Sequence, residues 1–273
     1  MKYPTKELLL KALDSRWHHY RQLAKACRSN PGEAEVHDLR TSIRRLLALM
    51  ALVKGIAGGK SRARDRLRKY LKRQLDEFDE LRDLTVADER VGRYLTDFPA
   101  LTPFADWLGQ EVTRAHRDLR HRKYRKLPAS QKRRYRKIRK QLARCSEDLA
   151  PPILASLGAA LEKCREKLAA ASASAPGTIH EARIALKQLR YLVEVAGPVD
   201  GLPEPNSLAH LQTLTGEVQD LQVFTLLLAK FSQQHDLPDV DRFSASLQVE
   251  QTAAAREAIA EGQALLANAR ILA

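Results

Sequence analysis

Two stretches decide how this chain is read: Ile179–Tyr191, IHEARIALKQLRY, and Val36–Val53, VHDLRTSIRRLLALMALV. In the first, His180, Arg183, Lys187 and Arg190 are spaced three, four and three residues apart, which puts all four on one side of a helix. A solvent-facing helix normally mixes charge signs there, whereas this stripe is positive or neutral throughout. Setting His180 on His37, an offset of 143, brings Glu181 onto Asp38, Arg183 onto Arg40, Lys187 onto Arg44 and Leu189 onto Leu46. A second pair follows each stretch: DELRDLTV (79–86) matches GEVQDLQV (216–223) at an offset of 137. A two-part pattern in the same order, at nearly the same separation, indicates an internally duplicated chain.

The chain is 273 residues long, which is enough to bury a core in one large or two modest domains. A hydrophobic content of 44% fits a globular protein, and 29% charged with 5% aromatic residues favours helix over sheet. No apolar run approaches the roughly 18 residues needed to cross a membrane. The opening MKYPTKELLLKAL becomes charged too early for a signal peptide. Cys27, Cys145 and Cys164 are odd in number and show no metal-ligand spacing, so they are expected as ordinary helix residues in a reducing cytoplasm. The net charge of +14 is concentrated: Arg114 to Arg144 holds fifteen Lys and Arg against the single acid Asp118, leaving 32 bases and 32 acids elsewhere. Such a concentration points to an anionic partner.

Helical periodicity dominates. Leu39, Ile43, Leu46, Met50 and Val53 step by four and three, and Leu208, Leu211, Leu214, Val218 and Leu221 do so as well. Both are core stripes of packed helices. No alternating β-branched run is long enough for a strand. With prolines as punctuation, the pattern predicts eight helices near 5–28, 33–56, 60–95, 102–126, 130–171, 177–197, 206–235 and 239–271. The fifth is expected to kink at Pro151-Pro152. Four precede Pro128 and four follow it, so the expectation is all-α, with antiparallel four-helix bundles over 1–128 and 129–273.

On a helical wheel with His37 at zero, Arg40 and Arg44 fall at about −60 and −20 degrees, and the core stripe centres near 200 degrees. Arg190 lies at the border of its own core stripe. A partly desolvated arginine cannot shed its charge and needs an anion, either a carboxylate of a neighbouring helix or a ligand. His18-His19 and His116/His121 have poor spacing for a shared metal. No Ser/His/Asp order, Gly-rich phosphate loop or HExxH motif stands out, so neither a metal nor catalysis is expected. Asp83 and Asp220 read as structural carboxylates that tether an arginine or a helix end between the two repeats.

VHDLRTSIRRL and IHEARIALKQLRY, each followed by an L-x-D-L-x-V-like helix, resemble the two repeats of the CHAD domain, the conserved histidine α-helical domain. The resemblance spans essentially the whole chain. It implies two four-helix bundles related by pseudo-twofold symmetry, around a basic pore or groove that binds inorganic polyphosphate. It also implies an association with polyphosphate granules, in company with polyphosphate-metabolising enzymes; members often adjoin a triphosphate-hydrolysing CYTH domain, which is not expected here. Carried onto this sequence, the basic set is His37, Arg40, Arg44 and Arg45 in the first repeat and His180, Arg183, Lys187 and Arg190 in the second. Arg73 and His210 match in the following helices, with Lys69 and Lys72 beside Arg73, and Arg114, Arg117 and His121 extend the surface. Gln188 opposite Arg45 and Leu47 opposite Arg190 break the symmetry. Polyphosphate offers charge and no bases, so its receptor needs Arg, Lys and His but no aromatic platform. Tyr124 and Tyr135 inside the basic run leave nucleic-acid or ribosome binding through 114–144 as an alternative. An adaptor for a phosphohydrolase is another. Binding is expected to weaken with salt and, if the histidines face the ligand, to strengthen below about pH 6.5.

Overall fold

The computed structural model describes residues 4–29, 32–121 and 127–271. Among these the fold is all-α, as the periodicity predicts, with nine α-helices and one short 3-10 turn at Pro99–Leu101. In chain order the helices are α1 (Lys6–Ser29), α2 (Glu33–Ala57), α3 (Arg62–Val91), α4 (Thr102–His121), α5 (Ala129–Ala143), α6 (Ala150–Ala169), α7 (Pro176–Ala196), α8 (Pro205–Ser232) and α9 (Val240–Ala267). None of them is long and apolar enough to cross a membrane.

The packing follows the duplicated sequence. Helix α2 lies against α1 and α3, and α3 against α4; likewise α7 lies against α6 and α8, and α8 against α9. The two sets meet along α2–α7 and α3–α8, so the helices that carry the doubled pattern are the ones at the centre. The stripe Leu39, Ile43, Leu46, Met50 and Val53 is almost fully buried. Each such side chain contributes about 1.5–3 kcal/mol. Gly55 lies against Ser156, where an added Cβ would collide, and this lets α2 approach α6 closely. A second, aromatic-rich core joins the end of α3 and α4 to α8 and α9 through Phe104, Phe224, Phe231 and Phe243.

The fifth expected helix is instead two. It breaks over 144–149, where Asp148 Oδ1 accepts from the Ala150 backbone N–H at 3.1 Å just ahead of α6. Pro151 and Pro152 open α6 and do not kink it, because a proline in the first turn loses no intrahelical hydrogen bond. Pro176 and Pro205 open α7 and α8 in the same way. Helix α5 then packs against α1, α2 and α3. Asp14 of α1 accepts from the Tyr135 hydroxyl and, at 2.9 Å, from Arg139 Nε, while Tyr135 stacks on Trp17 with centroids 4.6 Å apart. Helix α5 thus packs against helices that lie on the other side of the expected boundary at 128/129. Helix α3 stops at Val91, short of the expected 95, and α4 is described to His121, so 122–126 of the expected fourth helix lie outside the described residues.

Candidate anion-binding site

Helices α2, α3, α7 and α8 bring five basic side chains together with three carboxylates: Arg40, Arg44, Arg82, Arg183 and Lys187 against Asp79, Asp83 and Asp220. The cations of α2 and α7 are those of the motif stripes, one helical turn apart on each helix. Arg40 is 6% exposed; it donates from Nη2 to Asp79 Oδ1 at 2.6 Å and from Nη1 to the Phe78 carbonyl at 3.2 Å. Arg44 approaches the same carboxylate at 3.9 Å. Arg82 reaches from α3 to α8 and grips Asp220 with both amino groups, at 2.5 and 2.7 Å. Its Nη1 also donates to Asp83 at 3.1 Å. Asp220 therefore tethers an arginine across the α3–α8 contact, as the sequence suggested. A parallel tether lies further along α3, where buried Arg90 pairs with Glu217 at 2.5 Å and Glu250 at 3.4 Å.

The electrostatics of this cluster are one-sided. Burial, then the neighbouring cations, holds Arg40 and Arg183 down to about 10 despite Asp79 and Asp220. Burial pushes the Lys187 ammonium to about 6, and Arg183, Arg44 and Arg82 add repulsion that Asp79 only partly offsets. Arg82 moves the other way: burial opposes it, but the hydrogen bonds to Asp220 and Asp83 prevail and its pKa rises. Burial raises Asp83 as well. Arg82 was missed by the sequence reading, because its counterpart in the second repeat is Gln219. The signal was the LRD/VQD mismatch inside the aligned octapeptides.

The remaining residues of the expected set divide. His37 is exposed on α2, and His180 is exposed on α7 with Nδ1 against Gln219 Oε1 of α8. Arg45 faces away from the cluster and pairs with Glu194 at 2.9 Å, beside Arg16. Arg190 donates to Gln212 Oε1 at 2.8 Å and lies 5.5 Å from the Tyr191 ring centroid. Lys69 and Lys72 are exposed on α3, as is Arg73, 3.9 Å from Glu77. His210 is exposed near the start of α8. Arg114 sits 3.6 Å from Glu111 in a hollow shared with Glu77, Glu80 and Asp118, where an anion would be repelled. Arg117 is exposed on α4, and the His121 side chain lies outside the described residues. Part of the basic run forms a separate surface with α3: Arg133, Arg134 and Lys137 join Arg62 and Arg66 around a 320 Å³ hollow between α3 and α5 with no acid among its walls. Tyr135 is buried under it against Trp17, so it offers no face to a base. Tyr124 lies outside the described residues.

Fold and site together define an all-helical protein with a surplus of cations buried between its duplicated helices. The family model of the CHAD domain matches residues 11–205, and the chain belongs to that family. Two solved structures superpose over nearly the whole chain. The crystal structure of the CHAD domain from the plant Ricinus communis aligns with a TM-score of 0.73 at 17% identity, covering 97% of this chain and 92% of that one. PptA from Streptomyces chartreusis aligns with a TM-score of 0.72 at 16% identity, covering 96% of this chain and 99% of that one. At these identities the likeness shows the fold. No curated protein matches the sequence.

Proposed function

We propose that this protein binds inorganic polyphosphate, without turning it over, at the cation cluster between α2 and α7. In this reading the halves, divided after Ala143, are two repeats about a pseudo-twofold axis, and the site lies between them. Its expected place is the cytoplasm, at polyphosphate granules. The observation that carries the reading is the pair Arg183 and Lys187. Both are largely buried, and among the described residues neither has a hydrogen bond or ion pair to a carboxylate. A buried cation without a partner costs several kcal/mol, which Arg183 bears and Lys187 escapes by losing its proton; a phosphoryl group offers the charge and the multiple acceptors that would offset the first and restore the second. Membership of the CHAD family supports the same ligand.

A second reading, nucleic acid bound along α5, draws on the acid-free hollow of Arg62, Arg66, Arg133, Arg134 and Lys137. The stacked and buried Tyr135 argues against a base-binding version of it. Competition separates the two. Labelled long-chain polyphosphate is titrated onto the full chain and challenged with duplex DNA, RNA and short polyphosphates. The proposal expects displacement by polyphosphates and weak competition from both nucleic acids at equal phosphate. Displacement by RNA as effective as by polyphosphate would contradict it.

The position of Lys187 also sets the pH dependence. In the free protein its pKa near 6 leaves it mostly neutral at pH 7.5. A phosphate beside it favours the ammonium, so binding takes up a proton. Affinity then rises as pH falls from 8 towards 6, by up to about tenfold per pH unit, and flattens below about 6, where the free protein is already protonated. The surrounding charges are Arg183 of α7, Arg44 of α2, and Arg82 and Asp79 of α3. Calorimetry in buffers of different ionisation enthalpy reads this uptake. The Lys187→Gln variant is expected to lose it, whereas joint His37, His180 and His210→Gln substitution is expected to preserve it.

A further inference from the structure

The two repeats offer equivalent places for an anion, yet they differ at the one residue that decides whether the place is open. At the offset of 143, Arg40 and Arg44 correspond to Arg183 and Lys187; at the offset of 137, Asp79 corresponds to Gly216. In the first repeat Asp79 supplies the anion itself, 2.6 Å from Arg40 and 3.9 Å from Arg44. In the second repeat the spatial relation is kept and the carboxylate is missing. The Arg183 guanidinium lies over Gly216, with Nη2 3.2 Å, Nε 3.8 Å and Cζ 3.9 Å from where a Cβ would stand. Arg183 Nε is buried with no hydrogen-bond partner. The nearby carboxylate Asp220 is already held by both amino groups of Arg82.

We propose that Asp79 closes the first-repeat position and that Gly216 leaves the second open, so that a single phosphoryl group docks against Arg183 and Lys187 in place of the carboxylate that residue 216 does not supply. The inference rests on the polyphosphate reading above and adds where, and how many times, the protein grips the chain. The phosphoryl group does for Arg183 what Asp79 does for Arg40: it accepts from the guanidinium and offsets the second cation one turn away. The glycine omits the acid and lets the Arg183 guanidinium lie against the α8 backbone. Its φ is not in the left-handed region, so backbone conformation does not demand glycine there.

Four variants of the full chain test this against labelled long-chain polyphosphate at fixed salt. Gly216→Asp hands Arg183 an internal carboxylate after a shift of a few tenths of an ångström at the flexible arginine end. It is expected to bind about 30-fold more weakly than the wild type while unfolding at a higher temperature. Gly216→Ala adds the Cβ without the charge and is expected to stay within about threefold. Asp79→Gly frees Arg40 and Arg44 and is expected to show a second site for pyrophosphate. The double variant Asp79→Gly/Gly216→Asp moves the opening into the first repeat and is expected to regain most of the affinity lost by Gly216→Asp alone. Wild-type affinity in Gly216→Asp overturns the inference and leaves polyphosphate binding standing. So does a Gly216→Ala loss as large as that of Gly216→Asp, or a double variant as weak as Gly216→Asp. A wild-type protein that does not bind polyphosphate refutes the underlying reading itself.

Discussion

Reversing Arg183 to glutamate is expected to lower polyphosphate affinity by about two orders of magnitude, and Arg183→Gln by about tenfold. The reversal replaces an uncompensated buried cation with an acid beside Asp220, where the ligand's charge has to be met. The control is Arg256→Glu on α9, an exposed arginine of the second repeat, which changes the net charge equally. It is expected to change affinity by less than about threefold, because an exposed charge outside the site is screened within about 10 Å. Equal losses from Arg183→Glu and Arg256→Glu, read by titration at one ionic strength, would mean that bulk charge governs binding and the cluster does not.

Asp220→Ala is expected to destabilise the protein and to tighten its hold on polyphosphate. The Arg82–Asp220 pair is mostly shielded, with side chains 29% and 13% exposed, and it ties α3 to α8. Removing the acid strands Arg82 beside Arg183 and Lys187, at a cost of about 2 kcal/mol after discounting for solvent at the arginine. For a chain of this size that lowers the melting temperature by roughly 5 °C. The same change leaves four arginines and Lys187 facing two carboxylates, so an anion gains more by binding. A ligand present at 100 times its Kd adds about 2.7 kcal/mol of stability, and a tighter ligand at the same concentration adds more. Differential scanning with and without polyphosphate is therefore expected to show a larger ligand-induced rise in Asp220→Ala than in the wild type. A lower melting temperature with an unchanged rise would place Asp220 outside the field of the site.

What the sequence made legible follows from which interactions are local. The stripes of α2 and α7 repeat every three or four residues, so their core faces and the cations beside them appear in any helical wheel. The offsets of 143 and 137 located the central helices before any packing was known. The break at 144–149 was not legible, because RCSEDL carries no proline or glycine, and the Asp148–Ala150 hydrogen bond is visible only once the turn exists. The affiliation of α5 was hidden for a similar reason: its basic surface reads as solvated whichever helices lie beneath it, and only the Tyr135–Trp17 stack and Asp14 fix it against α1. Among the site residues, charge and spacing could not distinguish Arg183 from Arg45 or Arg114. The difference lies in the carboxylates around each: Glu194, distant in sequence, for Arg45, and Glu77 and Glu80 of α3, added to Glu111 and Asp118 of its own helix, for Arg114. Asp79 opposite Gly216 was on view in the aligned octapeptides, but its meaning needs the Arg40–Asp79 distance. The histidines that mark the motif are exposed, and the titrating group the structure places among the cations is Lys187.

Lysine-selective acylation read by mass spectrometry, with and without long-chain polyphosphate, tests the central claim most directly. Lys187, with its pKa near 6, is largely the nucleophilic free amine at pH 7.5, although burial slows its reaction. Bound polyphosphate would both cover it and protonate it. Polyphosphate is expected to suppress labelling strongly at Lys187 while Lys132 and Lys137 on α5 change little. Protection of Lys132 and Lys137 with Lys187 labelled as before would contradict that claim and move the ligand to the α3–α5 surface.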